Sequence, residues 1–182
     1  MIKSINTPLT DDIVEDLNVG DRVLLNGIIY TGRDAAHKRL VEIINKGEEL
    51  PVDLKGQIIY YVGPCPAKPG WIIGSAGPTT SGRMDVYTNT LLDKGLKGMI
   101  GKGQRREDVV DSMMKNKAVY FAAIGGAGAL LAEAVKEAQI IAFPELGPEA
   151  IYKLKVENFP VTVAIDTKGR DLYKTGRDKY KR

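Results

Sequence analysis

The sequence has little of the chemistry that binds metals or crosslinks a chain. It contains one cysteine, Cys65, and one histidine, His37, in 182 residues. A single cysteine excludes an intrachain disulfide, and it cannot supply the three or four thiolates that an iron–sulfur cluster usually needs. With one histidine beside it, a zinc site built from this chain alone is also disfavoured. We therefore expect Cys65 to be a small, half-buried residue.

Strong charge and long apolar runs are also missing. There are 26 Lys and Arg against 23 Asp and Glu, which gives a net charge of +3. A charge this small does not favour nucleic acid or a membrane surface as a partner. Nowhere do about 18 apolar residues run together as a membrane-spanning helix requires, and no apolar signal segment opens the sequence. We expect a cytoplasmic protein with neither kind of partner.

The remaining composition is that of an ordinary globular protein, with 43% hydrophobic and 27% charged residues. The length favours one domain over residues 1–182, with a basic polar tail from about residue 170 that is solvated or docked on a partner. Runs of aliphatic and β-branched residues predict strands at Val23–Tyr30, Ile58–Val62, Gly98–Ile100, Ala118–Ile124, Gln139–Phe143 and Val161–Ile165.

Apolar residues at helical spacing alternate with these strands. They predict helices at Asp34–Asn45, around Met84–Leu91, at Glu107–Asn116 and at Gly126–Glu137. Because strand, helix and strand follow one another at short intervals after residue 98, we expect βαβ crossovers and a parallel sheet. The sequence therefore predicts an α/β fold.

Residues 74–85 read GSAGPTTSGRMD, a stretch of small and hydroxyl-bearing residues around one cation, Arg83. The glycines allow close backbone approach, and a hydroxyl from residues 79–81 can cap the helix that follows. A helix N-terminus disfavours a positive side chain, so an anion bound beside Arg83 would explain its position. The stretch predicts a carboxylate or phosphate site. The alternative is a capped helix in which Arg83 pairs with Asp85 or a glutamate.

Two more cations lie where predicted strands end. Arg33 follows the first predicted strand, with His37 one turn further on, and Lys102 follows the strand at Gly98–Ile100 between two glycines. Strand-to-helix corners are where α/β proteins bind ligands. Each cation alone is typical of a solvated surface, but three of them at such corners indicate a dianionic substrate.

Four stretches of the sequence together resemble a known family. They are IGSAGPTTSGRMD, MIGKG, AVYFAAIGGAGALLA and ELGPEAIYKLKVENFPVTVAIDTKGRDLY. They resemble the β subunit of class I iron–sulfur hydro-lyases, the fumarate hydratases and L(+)-tartrate dehydratases. In that family the same unit can instead be the C-terminal domain of a longer chain. The resemblance covers nearly the whole sequence, and the GPTTSGRMD string is long and specific.

The resemblance implies a swivelling β/β/α domain with a partly parallel sheet flanked by helices. It also implies a separate α subunit with three cysteines around a [4Fe–4S] cluster, so that this chain binds no cofactor alone and is active only in a hetero-oligomer. By their places in the shared motifs, Arg33, Arg83 and Lys102 match residues that hold the carboxylates of a small dicarboxylate. Thr79 matches the hydroxyl proposed as catalytic base.

Several alternatives stay open. The sequence does not decide between fumarate and tartrate as substrate, and a non-catalytic anion-binding module is a third reading. Thr80 is an alternative to Thr79 as the base, and no role follows for His37 or Ser81.

Overall fold

The computed structural model describes residues 2–123 and 127–180, in which helices pack on a mixed sheet. The strands are β1 (Ile2–Asn6), β2 (Arg22–Thr31), β3 (Ile58–Tyr60), β4 (Gly98–Gly101), β5 (Val119–Ala122), β6 (Val135–Ala142) and β7 (Ile151–Ile165). The helices are α1 (Asp11–Glu15), α2 (Asp34–Asn45), α3 (Asp85–Asp93), α4 (Glu107–Asn116), α5 (Gly128–Glu133) and α6 (Leu172–Tyr180). Short 3-10 turns span Ser81–Met84 and Pro144–Glu149.

The sheet has a parallel part and an antiparallel part. Strands β1 to β5 are parallel neighbours in sequence order. The long strand β7 runs antiparallel to β5, to β2 and to β6, so it joins the two sides of the parallel part, and β6 forms an outer edge. The expected α/β class, a partly parallel sheet flanked by helices, is confirmed. Because β2, β3 and β4 are parallel, their carboxyl ends lie on one edge of the sheet.

Strand β3 shows how the sheet divides the core. Ile58 and Tyr60 belong to one buried cluster and Ile59 to another, since successive strand residues point to opposite faces. The second cluster lies under three helices, which contribute Ala36, Leu40, Leu91, Leu92, Val109 and Met113. An apolar run without alternation is thus typical of a strand buried on both faces.

Helices α2 and α4 have the bounds that the sequence predicts. In α2 the buried residues Ala36 and Leu40 lie one turn apart, and Gly47, at φ 70°, follows the end of the helix. A positive φ favours glycine after the last turn of a helix. Both helices were predictable from the helical spacing of their apolar residues, and for α2 the glycine that follows also marked the end.

The predicted helix over Gly126–Glu137 is wrong in its second half. Helix α5 ends at Glu133, and the chain continues as strand β6. The start at Gly126, like the end of the predicted strand Ala118–Ile124, lies outside the described residues. Strand β6 is also antiparallel to its neighbour β7, so the parallel arrangement expected there is wrong too. Pairing with β7 outweighs the helix propensity of this alanine-containing segment, because intrinsic propensity is a weak determinant compared with tertiary contacts.

Two strands and the tail differ from the sequence prediction. Strand β7 begins ten residues before the predicted Val161, and Pro160 together with Asn158, at φ 52°, interrupts its pattern. Strand β1, whose residues alternate between exposed and half-buried, was not predicted. The polar tail forms helix α6, in which Tyr173 packs against the core.

Candidate functional site

Three chain segments meet where β2, β3 and β4 end. They are residues 32–34 after β2, residues 79–83 on the connection after β3, and residue 102 after β4; together we call them the carboxyl edge. The Thr79 N–H donates to Tyr61 O at 2.7 Å, the Lys102 N–H donates to Thr79 O at 3.3 Å, and the Ser81 N–H donates to Lys102 O at 2.8 Å. The hydroxyl-rich segment therefore lies directly beside Lys102.

Contacts of two arginines add the first segment to this group. The Arg33 side chain lies against Gly63, where a Cβ would come within 3.2 Å of Arg33 Cδ. Nε of Arg83 lies 3.2 Å from Oδ1 of Asp34, at the start of α2. The four residues singled out from the sequence, Thr79 and the three cations, thus lie on neighbouring segments of one edge.

The cationic groups at this edge reach solvent. The Arg83 side chain is 57% exposed, Arg33 is half-buried, and Lys102 is exposed. Each arginine also has a carboxylate nearby: Asp34 beside Arg83, and Glu149 at 3.8 Å from Nε of Arg33. Solvent-exposed pairs of this kind contribute little to stability, so the arginines remain available to an anionic ligand.

The sequence expectation of a hydroxyl cap on the following helix is wrong. Thr80 precedes a 3-10 turn rather than an α-helix and makes no side-chain capping bond, and α3 begins only at Asp85. Arg83 consequently lies in the last residues of the 3-10 turn. Its carboxylate partner is Asp34, not Asp85.

Ser81 is fully buried and is occupied by an internal hydrogen bond. Oη of Tyr120 lies 2.8 Å from both Oγ of Ser81 and the carbonyl oxygen of Gly103. A carbonyl can only accept, so the Tyr120 proton goes to Gly103 and the Ser81 hydroxyl donates to Tyr120. Burial raises the pKa of Tyr120, which keeps this donor protonated. Among residues 79–81, the available hydroxyls are therefore those of the half-buried Thr79 and the exposed Thr80.

A buried ion pair, missed from the sequence, underlies the edge. Nε of Arg105 donates to Oδ1 of Asp85 at 2.6 Å, and the two side chains are 0% and 2% exposed. The guanidinium also donates to Oη of Tyr61 at 3.2 Å and to Oγ1 of Thr88 at 2.9 Å. The other Asp85 oxygen accepts from the Arg106 N–H at 2.9 Å.

This ion pair joins the loop that carries Lys102 to the helix that follows Arg83. Arg105 is three residues after Lys102, and Asp85 is two residues after Arg83. In the sequence, Arg105 stands in the polar stretch GQRRED, which is typical of a solvated surface. The one sequence feature that pointed to this ion pair is the position of Asp85, directly after residues 82–84 (GRM).

His37 is completely buried at the start of α2. Its Nδ1 lies 2.8 Å from the carbonyl oxygen of Arg33, so Nδ1 carries the proton and donates. Its Nε2, together with Oδ2 of Asp34 and Nε of Arg33, forms no hydrogen bond within the described residues. Burial lowers the pKa of His37 to about 4, so the ring is neutral at physiological pH and is not a general acid there.

The residues of this chain do not fit an iron–sulfur cluster. Cys65 is the sole cysteine of the sequence, and it is exposed rather than half-buried as expected. Across residues 2–123 and 127–180, no three His, Cys, Asp or Glu side chains group in a way that could hold a metal ion. Within the same ranges, no helix has the length and apolar character needed to cross a membrane.

The structure is an α/β domain that carries three cationic side chains on one edge of its sheet. Residues 2–176 match the family model described as Fumarase C-terminus, and the chain belongs to that family. It is 43% identical over 171 residues to the putative L(+)-tartrate dehydratase subunit beta of Methanocaldococcus jannaschii, which covers 91% of this chain and 88% of that protein.

Longer relatives share the same region. The aerobic class I fumarate hydratase of Salmonella typhimurium is 41% identical over 174 residues, which is 93% of this chain but 30% of that protein. Fumarate hydratase 2 of Leishmania major is 43% identical over 157 residues, which is 85% of this chain and 28% of that protein. The chain therefore spans less than a third of the length of these two fumarate hydratases.

Removing the charge of Asp85 should strongly destabilise the fold. In Asp85→Asn the Arg105 guanidinium stays buried without its counter-charge, which costs about 3–5 kcal/mol. The matched control is Glu137→Gln, because Glu137 pairs with Lys155 at 3.5 Å on the exposed edge strand β6. That variant should lose at most about 1 kcal/mol. Urea unfolding at pH 7 measures both, and equal small losses would contradict the importance of the buried pair.

The folded chain should become less stable as the pH is lowered, because of His37, the one histidine of the sequence. Its pKa of about 4 in the folded chain lies below the unfolded value of 6.5. The unfolded chain therefore binds more protons between these values, and the stability contribution is lost as pH falls from 6.5 towards 4. Between pH 7 and pH 5 the free energy of unfolding should decrease by about 2 kcal/mol more in the wild type than in His37→Gln. Identical pH slopes in urea unfolding would show that His37 is not held neutral.

Proposed function

We propose that this chain is the β subunit of a class I [4Fe–4S] fumarate hydratase, which reversibly hydrates fumarate to (S)-malate. The observation that carries the proposal is the meeting of Arg33, Arg83, Lys102 and Thr79 at one edge of a Fumarase C-terminus domain. Three cations on adjacent segments suit a substrate with two carboxylates, and a guanidinium can hold one carboxylate through two hydrogen bonds.

A second candidate is the β subunit of an L(+)-tartrate dehydratase. The relative with that name matches this chain over 88% of its own length, whereas the fumarate hydratases contain a long additional region. Both substrates are four-carbon dicarboxylates, so the same cations serve either one. The two candidates differ in the substrate and share the site.

The chemical role of this edge follows from the reaction. Dehydration removes a proton from the carbon next to a carboxylate while hydroxide leaves the neighbouring carbon. Negative charge then builds up on that carboxylate, and the fixed cations stabilise it. Thr79 is proposed to take the proton. A threonine hydroxyl is a very poor base unless nearby positive charge favours its alkoxide, and the backbone of Thr79 is hydrogen-bonded to that of Lys102.

The cluster is proposed to reside on a separate α subunit, because this chain has a single cysteine. When bound there, it supplies Lewis-acid activation of the substrate hydroxyl. The active site would then form between the subunits, in a hetero-oligomer. The connection from β3 to Thr79 exposes two large apolar side chains, with Trp71 59% and Ile72 49% exposed. A partner surface that packs against this connection would bury both.

Anaerobic co-expression with the cysteine-bearing subunit tests the proposal. Hydration is followed as loss of fumarate absorbance, with tartrate dehydration assayed in parallel and each subunit also assayed alone. Fumarate turnover that needs both chains supports the first candidate, and turnover of tartrate alone selects the second. An assembled complex with an intact cluster and no activity on either substrate would leave a non-catalytic anion-binding module.

Arg83→Ala should lower kcat/KM at least about a hundredfold, since a charge that stabilises the developing anion is lost. The control is Arg39→Ala, which removes an exposed arginine of α2 that pairs with Glu145. That variant should keep nearly normal turnover. If both variants lose activity equally, the effect of Arg83 is not specific to the site.

Thr79→Ala should reduce turnover about a thousandfold, within the range of lost general-base catalysis, and leave subunit assembly intact. Thr80→Ala is the matched control, because its hydroxyl is exposed on the adjacent residue. It should change turnover by no more than about threefold if Thr79 is the base. The reverse pattern would assign the base to Thr80, and normal turnover in both variants would remove threonine from the mechanism.

A further inference from the structure

We propose that Tyr173, on the C-terminal helix α6, is a positioning residue for Lys102. This inference rests on the proposed function, since it concerns how the same site holds its dicarboxylate. The Gly103 N–H, directly after Lys102, donates to Oη of Tyr173 at 3.1 Å. A residue of the polar tail therefore makes a direct hydrogen bond to the loop that carries a substrate-binding cation.

Two tyrosines hold Gly103 from its two sides. Tyr120 of β5 donates to the Gly103 carbonyl at 2.8 Å, while Tyr173 accepts from the Gly103 N–H. Gly103 has φ 86°, and glycine can adopt this and many other backbone conformations at little cost in energy. The two phenol hydroxyls thus select one conformation of a residue that would otherwise be free to rotate.

The same selection fixes the backbone of Lys102. On its other side, Lys102 is bonded through its N–H to Thr79 O and through its carbonyl to Ser81 N–H. With Gly103 also held, the backbone of Lys102 is fixed on both sides, and its side chain is exposed to solvent. Holding the backbone of a binding residue reduces the entropy lost when the ligand binds.

Helix α6 is itself anchored, so it can serve as a support. Asp171, just before the helix, is buried and forms a bridge to Ile165 at the end of β7. Its carboxylate accepts from the Tyr173 N–H at 2.8 Å, and its carbonyl accepts from the Thr175 N–H at 3.1 Å. The Tyr173 ring packs against the core cluster that lies under α2, α3 and α4. The hydroxyl of Tyr173 is therefore held in place relative to the sheet.

The test uses Tyr173→Phe in the assembled two-subunit complex, because this change removes the hydroxyl and keeps the ring. The readouts are the KM of the substrate that the complex turns over and the Kd of succinate, a non-reacting four-carbon dicarboxylate, by calorimetry. We expect both constants to rise about threefold to tenfold, as for one lost hydrogen bond, with a smaller change in kcat. Tyr152→Phe is the control, since Tyr152 on β7 packs against the opposite core cluster, and it should change neither constant.

A double-mutant cycle separates positioning from a general structural role. Lys102→Gln should weaken succinate binding by itself, and adding Tyr173→Phe to it should weaken binding no further, because the residue being positioned is gone. An unchanged succinate Kd in Tyr173→Phe, or an equal effect in both backgrounds, would overturn this inference while leaving the proposed function intact. A wild-type complex that neither binds succinate nor turns over either substrate would overturn both.

Discussion

The buried ion pair between Arg105 and Asp85 is the constraint on which the site depends. A fully buried guanidinium is tolerated only when its charge and its N–H groups are satisfied, and here Asp85, Thr88 and Tyr61 satisfy them. Meeting that requirement fixes the loop after β4 against the start of α3. The exposed cations Lys102 and Arg83 stand on these two segments, so the ion pair and the backbone hydrogen bonds that Lys102 makes to Thr79 and Ser81 together set the spacing of these cations.

The hydrogen-bonding groups of the edge fall into two sets. Ser81, Tyr120 and His37 are buried and hold neighbouring backbone or side-chain groups. Arg83, Lys102 and Thr80 reach solvent. This division places the hydrogen-bonded support beneath the surface and the cationic groups of Arg83 and Lys102 at the surface. The packing beneath the surface also requires a small residue at Gly101, at the end of β4, where a Cβ would collide with Ser81 of the GSAGPTTSGRMD stretch.

The α/β class and the positions of the three cations at strand ends were predictable from the sequence, whereas the bounds of several strands were not. Glycine-flanked cations at strand ends and the GPTTSGRMD string pointed to Arg33, Arg83 and Lys102, because strand ends and turn residues are encoded locally. The first half of β6 and the first ten residues of β7 were missed, because their pairing is set by partners distant in sequence and β7 contains Pro160. Arg105 and Tyr173 were missed because a polar stretch does not reveal which of its residues is buried or makes a hydrogen bond.

We propose that this edge holds both carboxylates of a four-carbon dicarboxylate. A crystal structure of the two-subunit complex with succinate tests this proposal. We expect the two carboxylates to lie within hydrogen-bonding distance of Arg33, Arg83 and Lys102, with Thr79 next to the carbon chain. Succinate bound elsewhere, with these three cations still facing solvent, would contradict the proposal.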